Sequence, residues 1–287
     1  MTGKNIRKAL NAKIDNWLKS IDDEKIKKLI EDNVIITGGA IVSMLNGEEI
    51  HDYDVYFKTK EAVETISQYY VKKFNETHKV CAEVRVDDVG RVSIFISSAG
   101  VAGEIDDETE PKAPEEVDPQ EANEPEVKAK YRPVYLSSNA ITLSDKIQIV
   151  IRFYGEPDEI HKNYDFIHCT CVWTSWDNKL ELPSRALEAI INKELFYTGS
   201  KYPLCSIIRS RKFISRGYTI NAGQYLKMAL QLNELDLHDV NVLRDQLVGV
   251  DSAYFEQAIN SIKEKQESDP EWQLDNSYLF EVINRIF

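Results

Sequence analysis

The stretch from Asn33 to Phe57 constrains this chain more than any other. Asn33-Val34-Ile35-Ile36-Thr37 reads as a short buried strand and Gly38-Gly39 as a turn. Ala40 to Leu45 then reads as the first turns of a helix ending at Asn46-Gly47, and His51-Asp52-Tyr53-Asp54-Val55-Tyr56-Phe57 as the next strand. Alternate side chains of a strand share a face, so Asp52 and Asp54 project together while Tyr53 and Val55 point the other way. Two adjacent carboxylates repel, and one is expected to take up a proton unless a cation sits between them. Mg²⁺ takes oxygen ligands of this kind, commonly one or two carboxylates plus substrate phosphates. A glycine turn running into a helix start leaves backbone N–H groups that bind an anion such as phosphate. The two elements together describe a nucleotide site; a solvated strand edge carrying D-x-D by chance is the alternative on these residues alone.

Length and composition agree with such a site. A chain of 287 residues suggests one or two domains with sizeable cores. There is no 18-residue apolar stretch, and Met1-Thr2-Gly3-Lys4-Asn5 opens a polar helix rather than a signal segment, so no membrane association is expected and the expected location is cytoplasmic. Cys81, Cys169, Cys171 and Cys205 lack zinc-ligand spacing; Cys169 and Cys171 share a face of an expected strand, and reduced thiols are the default reading.

The formal charge of −13 is unevenly placed. Residues 104–130 hold eleven acidic residues, three lysines and four prolines with no aromatic side chain, a net of −8. Such a stretch cannot bury a core and is expected to be a disordered insert, spanning about 100–132, available as an arm for a protein partner. From Arg185 to Arg216 the net charge is +5, which supplies a local basic surface for phosphates or a solvated helix face.

The hydrophobic pattern predicts helices over 5–19 and 23–32, the carboxylate strand over 52–58, a helix over 60–75, and strands over 78–86 and 91–97. After the acidic insert the sheet resumes at 133–136 and 146–153, with another strand over 165–173. Helices follow over 184–193, 203–216, 221–233, 239–247, 252–265 and 277–286. The chain thus divides into an α/β part over 1–180 and a helical part over 181–287.

Three segments in order carry a family resemblance. Gly38-Gly39 followed by Asp52-Tyr53-Asp54 resembles the signature of the polymerase-β-type nucleotidyltransferase superfamily. Tyr164-Asp165-Phe166-Ile167-His168-Cys169-Thr170 is similar to the R-R-D-F-T-I-N-A motif of bacterial-type CCA-adding enzymes and poly(A) polymerases, and Leu187 to Gly199 to the helix and short strand after it. Pro203 to Tyr218 is similar to the next family helix. The resemblance covers the head and neck of those enzymes and extends to members encoded by tailed phages. It implies an α/β (α+β) mixed sheet with flanking helices followed by an all-helical part. It also has departures: Val42-Ser43 stand where R-D is usual, Asn163-Tyr164 replace paired arginines, and no E-D-x-x-R base-reading segment is present.

The implied chemistry is Mg²⁺-dependent transfer of a nucleoside monophosphate from a nucleoside triphosphate to an RNA 3′ end, a tRNA-like acceptor, with release of pyrophosphate. In that scheme Asp52 and Asp54 hold the metal and Gly38 and Gly39 receive the phosphates. Asp165 serves catalysis or orients a neighbouring basic group. Arg209, Lys212 and Arg216, read as one helix face, bind triphosphate or RNA. The third carboxylate of the superfamily falls at neutral Gln148, with Glu83 and Asp165 as substitutes. The alternative is a catalytically inactive nucleotidyltransferase fold with a binding or structural role, for example in a phage particle, since fold alone does not establish activity. His51 and His168 read as solvated or packed side chains, and Tyr53, Tyr56 and Phe57 as sheet packing. No Ser-His-Asp arrangement or P-loop is present.

Overall fold

Val34-Ile35-Ile36-Thr37 is apolar enough for both faces of a sheet, and all four residues are buried in strand β1 (Val34–Thr37). The computed structural model describes residues 1–78, 81–97 and 130–246, and single positions after 246. Before β1 come helices α1 (Gly3–Lys19) and α2 (Glu24–Asn33); after it come α3 (Gly39–Asn46), β2 (Tyr53–Phe57) and α4 (Lys60–His78). The chain continues through β3 (Cys81–Val86), β4 (Val92–Ser97), β5 (Pro133–Leu136), β6 (Ala140–Leu143), β7 (Ile147–Tyr154) and α5 (Pro157–His161). Next are β8 (Val172–Thr174), β9 (Lys179–Glu181), α6 (Ser184–Asn192), α7 (Pro203–Ile214), α8 (Ala222–Leu232) and α9 (Val240–Gln246).

Seven strands form one mixed sheet in the order β5-β6-β7-β2-β1-β8-β9. β1 lies antiparallel to β2 and β8, whereas β2 and β7 run parallel. Alternation sorts the two faces. Val34, Ile36, Val55, Phe57, Ile147, Ile149, Ile151 and Trp173 enter the main core with the apolar sides of α1, α2 and α4. α1 contributes Ile6, Leu10, Ile14 and Trp17 at helical spacing, and Asp23 caps α2 by accepting from the N–H groups of Lys25 and Ile26. The Trp17 indole N–H donates to the Tyr70 hydroxyl at 2.6 Å, so a polar contact joins α1 to α4 inside the core. The other face of the sheet carries Ile35, Thr37, Asp54 and Gln148. The mixed sheet with flanking helices and a helical C-terminal part is therefore present.

Several elements differ from expectation. β3 and β4 pair only with each other in a two-stranded sheet. β6, β9 and α5 were not expected. The strand expected over 165–173 shrinks to β8, because Phe166 makes an isolated bridge to Tyr197 and Ile167–Cys169 is a 3₁₀ turn. Cys169 and Cys171 thus do not share a strand face. α7 ends at Ile214, so Arg216 is off the helix that was to align it with Arg209 and Lys212. The acidic stretch 104–130, except Lys130, lies outside the described residues, as do the helices expected over 252–265 and 277–286 apart from single positions. Among the described residues no helix is long and apolar enough to cross a membrane.

The chain forms two units, Met1–Lys162 with His168–Ile190, and Asn163–Ile167 with Ile191–Phe287. The first holds the seven-stranded sheet. In the second, Phe166 packs in a small core with Leu195, Tyr197, Tyr218 and Met228.

Candidate functional site

The glycine turn is built by backbone conformations that side chains resist. Gly38 has φ 82° and ψ −142°, and it donates its N–H to the Cys169 carbonyl at 3.1 Å. That amide is consequently committed within the fold, so a phosphate would meet the N–H groups that begin at Gly39, where the first turn of a helix has no intrahelical acceptor. A Cβ at Gly39 would meet no atom within 4 Å. Open space therefore lies before the helix start.

Thr37 fixes the strand behind this turn. It is fully buried, and its hydroxyl lies 2.9 Å from the Cys171 carbonyl, 3.2 Å from the Cys169 carbonyl and 2.9 Å from His161 Nε2. The hydroxyl has a single proton to give, so when it goes to a carbonyl oxygen the hydroxyl oxygen accepts from the Nε2–H tautomer of His161. Burial lowers the His161 pKa, against the opposing pull of Asp158 and Glu181. Neither Thr37 nor His161 was singled out in the sequence, since a threonine ending an apolar strand and a lone histidine carry no motif.

Asp54 lies in β2, partly buried, and Asp52 is exposed just before it. Asp54 pairs with Gln148 of β7, and Gln148 pairs in turn with Thr142 of β6, so one row across three strands reads Thr142, Gln148, Asp54. The position at which the family resemblance expects a third carboxylate, Gln148, thus sets an amide beside Asp54. Of the two substitutes, Glu83 is exposed in the two-stranded sheet, ion-paired to Arg85 and opposite Phe95. Asp165 belongs to the second unit. No group of three His, Cys, Asp or Glu side chains among the described residues is placed to hold a metal. Two carboxylates plus amide and phosphate oxygens fit one hard cation. They do not supply the carboxylate set for two.

In the second unit, Asp165 is buried and its carboxylate meets the Arg209 guanidinium at 2.6 Å. Thr198 donates its backbone N–H to the Asp165 carbonyl at 2.9 Å, and Arg209 also reaches Cys205 Sγ at 3.3 Å. Of the basic residues expected to bind phosphates, Arg209 is therefore engaged with Asp165. Lys212 is exposed on α7, and Arg216 lies in the turn after it, its carbonyl accepting from Lys193 Nζ at 3.3 Å. His51 is exposed, and buried His168 places Nε2 3.3 Å from Cys169 Sγ. All four cysteines are reduced thiols, and burial pushes the Cys171 thiol up to about 12.

The family model described as Gabija anti-defense 2 family protein matches residues 8–193, which takes in the strands of the seven-stranded sheet and Asp52-Tyr53-Asp54. This chain belongs to the Gabija anti-defense 2 family. A curated Gabija anti-defense 2 protein of Bacillus phage SPbetaL7 is 18% identical over 276 residues, covering 93% of this chain and 56% of the phage protein. The chain thus spans about half the length of that Gabija anti-defense 2 relative. Among solved structures, the Bacillus stearothermophilus CCA-adding enzyme in complex with CTP is similar at TM-score 0.39 and 13% identity, covering 85% of this chain and 51% of the enzyme. The Thermotoga maritima CCA-adding enzyme complexed with tRNA is similar at TM-score 0.39 and 12% identity, covering 92% and 57%. At such scores these likenesses stand as resemblances alone.

Proposed function

We propose that this chain is a phage-encoded counter-defence protein whose sheet unit binds a nucleoside triphosphate with one Mg²⁺ at Asp52 and Asp54. The observation that carries the reading is the pairing of Asp54 with Gln148 in a member of an anti-defense family: the carboxylate pair is kept while a neutral amide stands at the third position. Asp52 and Asp54 would hold the cation, with the Gln148 amide oxygen beside them. When bound, Mg²⁺ neutralises and bridges phosphate oxygens of the nucleotide. The N–H groups at the start of α3 would receive a phosphate. His161 and Thr37 keep the end of β1 in place behind that turn.

A second reading is full transfer of a nucleoside monophosphate to an RNA 3′ end. The intact Asp52-x-Asp54 sequence favours it, because carboxylates at this spacing are of the kind that hold a phosphate-bridging cation. In that case Asp54 and Asp52 would orient the reacting phosphate for an acceptor hydroxyl.

Isothermal titration of Mg²⁺ with each nucleoside triphosphate, wild type against Asp52→Ala/Asp54→Ala, tests nucleotide binding. Absence of metal-dependent binding in the wild type would sink both readings of the site. Labelled nucleotide and total RNA then separate them, since label transferred to RNA establishes the second reading. Survival of phage on cells carrying a Gabija defence, with and without the double variant, tests the counter-defence role.

A further inference from the structure

Behind the carboxylate pair, on the side of the sheet that Tyr53 faces, lies a lysine that the proposed binding scheme leaves unused. Lys13 of α1 has a side chain only 12% exposed, and its ammonium meets the Asp145 carboxylate at 2.9 Å and also donates to the Asp145 carbonyl. The same ammonium sits 5.0 Å from the ring centres of both Tyr53 and Tyr131. Tyr131, itself buried, thus joins α1 and the Asp145 turn in one cluster through Lys13.

Asp145 and Lys146 form the turn between β6 and β7, and that turn also grips the chain leading into β2. The Tyr53 N–H donates to the Lys146 carbonyl at 2.7 Å. Lys146 Nζ meets Glu49 and the Ile50 carbonyl, each at 2.9 Å. Tyr131, Asp145 and Lys146 have φ values of 65°, 64° and 63°. Three non-glycine residues in the left-handed region are uncommon, and such strain persists only where surrounding contacts determine it. Burying an ammonium also costs desolvation that an apolar side chain would avoid. The contacts of the Asp145-Lys146 turn converge on residues 49–53, the segment that carries Asp52.

We propose that Lys13 and Asp145 are positioning residues for the cation site, clasping Tyr53 so that the carboxylates on either side of it present their oxygens to one ion. The inference rests on the reading that Asp52 and Asp54 hold a divalent cation. Tyr53 is the first residue of β2, so fixing its ring on one face fixes the start of the strand, turns Asp54 to the other face by alternation and anchors the adjoining Asp52. Outer contacts of this kind change metal affinity by about 10–100-fold when removed.

Titration of the full chain with Mn²⁺, read by the electron paramagnetic resonance of the free ion, tests the proposal at a temperature where circular dichroism shows each variant folded. Lys13→Met is expected to weaken Mn²⁺ binding about tenfold, and Lys13→Arg to restore most of it, because the guanidinium can still bridge Asp145 and the rings. Tyr53→Leu is expected to weaken binding similarly, with little further loss in the double variant. Wild-type affinity in folded Lys13→Met overturns the clasp while leaving the cation reading intact. If Lys13→Met does not fold, Tyr53→Leu decides alone, and unchanged affinity there overturns the clasp. No Mn²⁺ binding by the wild type overturns the cation reading and the clasp with it.

Discussion

Asp54 and Gln148 occupy paired positions on neighbouring parallel strands, so a carboxylate and an amide share the centre of the candidate site. Gln148→Glu would set two carboxylates side by side, which destabilises a sheet by about 0.2–1 kcal/mol without a counter-ion. The variant is expected to melt below the wild type in a chelator and to recover on adding Mg²⁺, with higher Mg²⁺ affinity than the wild type. Thermal melts with and without Mg²⁺ check this; a melting temperature indifferent to the ion would argue that the row does not bind it.

The two glycines of the turn are expected to fail in opposite ways. Gly38 holds φ 82° with ψ −142°, a region costly for any other residue, so Gly38→Ala should destabilise the protein by roughly 1–3 kcal/mol. Gly39 begins a helix with open space at its Cβ, so Gly39→Ala should leave stability unchanged or raise it by up to about 1 kcal/mol. The added methyl should nevertheless weaken nucleotide binding several-fold. Denaturant titration and calorimetric binding of both variants separate the effects.

Protonation of His161 should weaken the fold. Its pKa is lowered by burial, so the unfolded chain binds a proton that the folded chain resists. Stability from this residue is complete above the ordinary histidine value of about 6.5 and is lost as pH falls through it toward the lowered folded value, where the loss levels off. His161→Gln should remove that part of the decline as pH falls below the ordinary histidine value of about 6.5. Melting curves of wild type and variant across the range measure the difference.

Removing one partner of the Asp165–Arg209 pair leaves a buried carboxylate uncompensated. Such losses reach about 3–5 kcal/mol in fully buried pairs. The Arg209 side chain is 38% exposed, which reduces the expected cost of Arg209→Met to about 2 kcal/mol. Asp165→Asn/Arg209→Met should lose less than the single arginine variant. Chemical denaturation of the three proteins tests the coupling.

The parts of the structure visible in the sequence are those where one signal decides the outcome. The continuous apolar run Val34-Ile35-Ile36 could only be a doubly buried strand, and Gly47, in the left-handed conformation, closes α3 where Asn46-Gly47 predicted an end. The Cys169–Cys171 region misled because its apolar and thiol side chains match a strand, while its carbonyls serve Gly38 and Thr37 instead of a ladder. The turn at Asp145-Lys146 was illegible, since neither residue advertises positive φ and its cause lies in contacts with α1 and β2. Lys13 carries no motif of its own within the helix expected over 5–19. Gln148 entered as the position the family resemblance gives to a third carboxylate, and its pairing with Asp54 required the register.

Asn163–Ile167 leaves the sheet unit, contributes to the second unit, and the chain returns at His168 in time to form β8. The second unit therefore cannot be cut away as a tail. A chain stopped at Ile190 would keep Asp165 and Phe166 but lose Arg209, Leu195, Tyr197 and Met228, stranding a carboxylate and a bare aromatic ring in the middle of the surviving fragment. Neither grafting nor truncation at a single point can exchange these units cleanly, so any recombination that swaps one must bring two separate pieces of sequence at once.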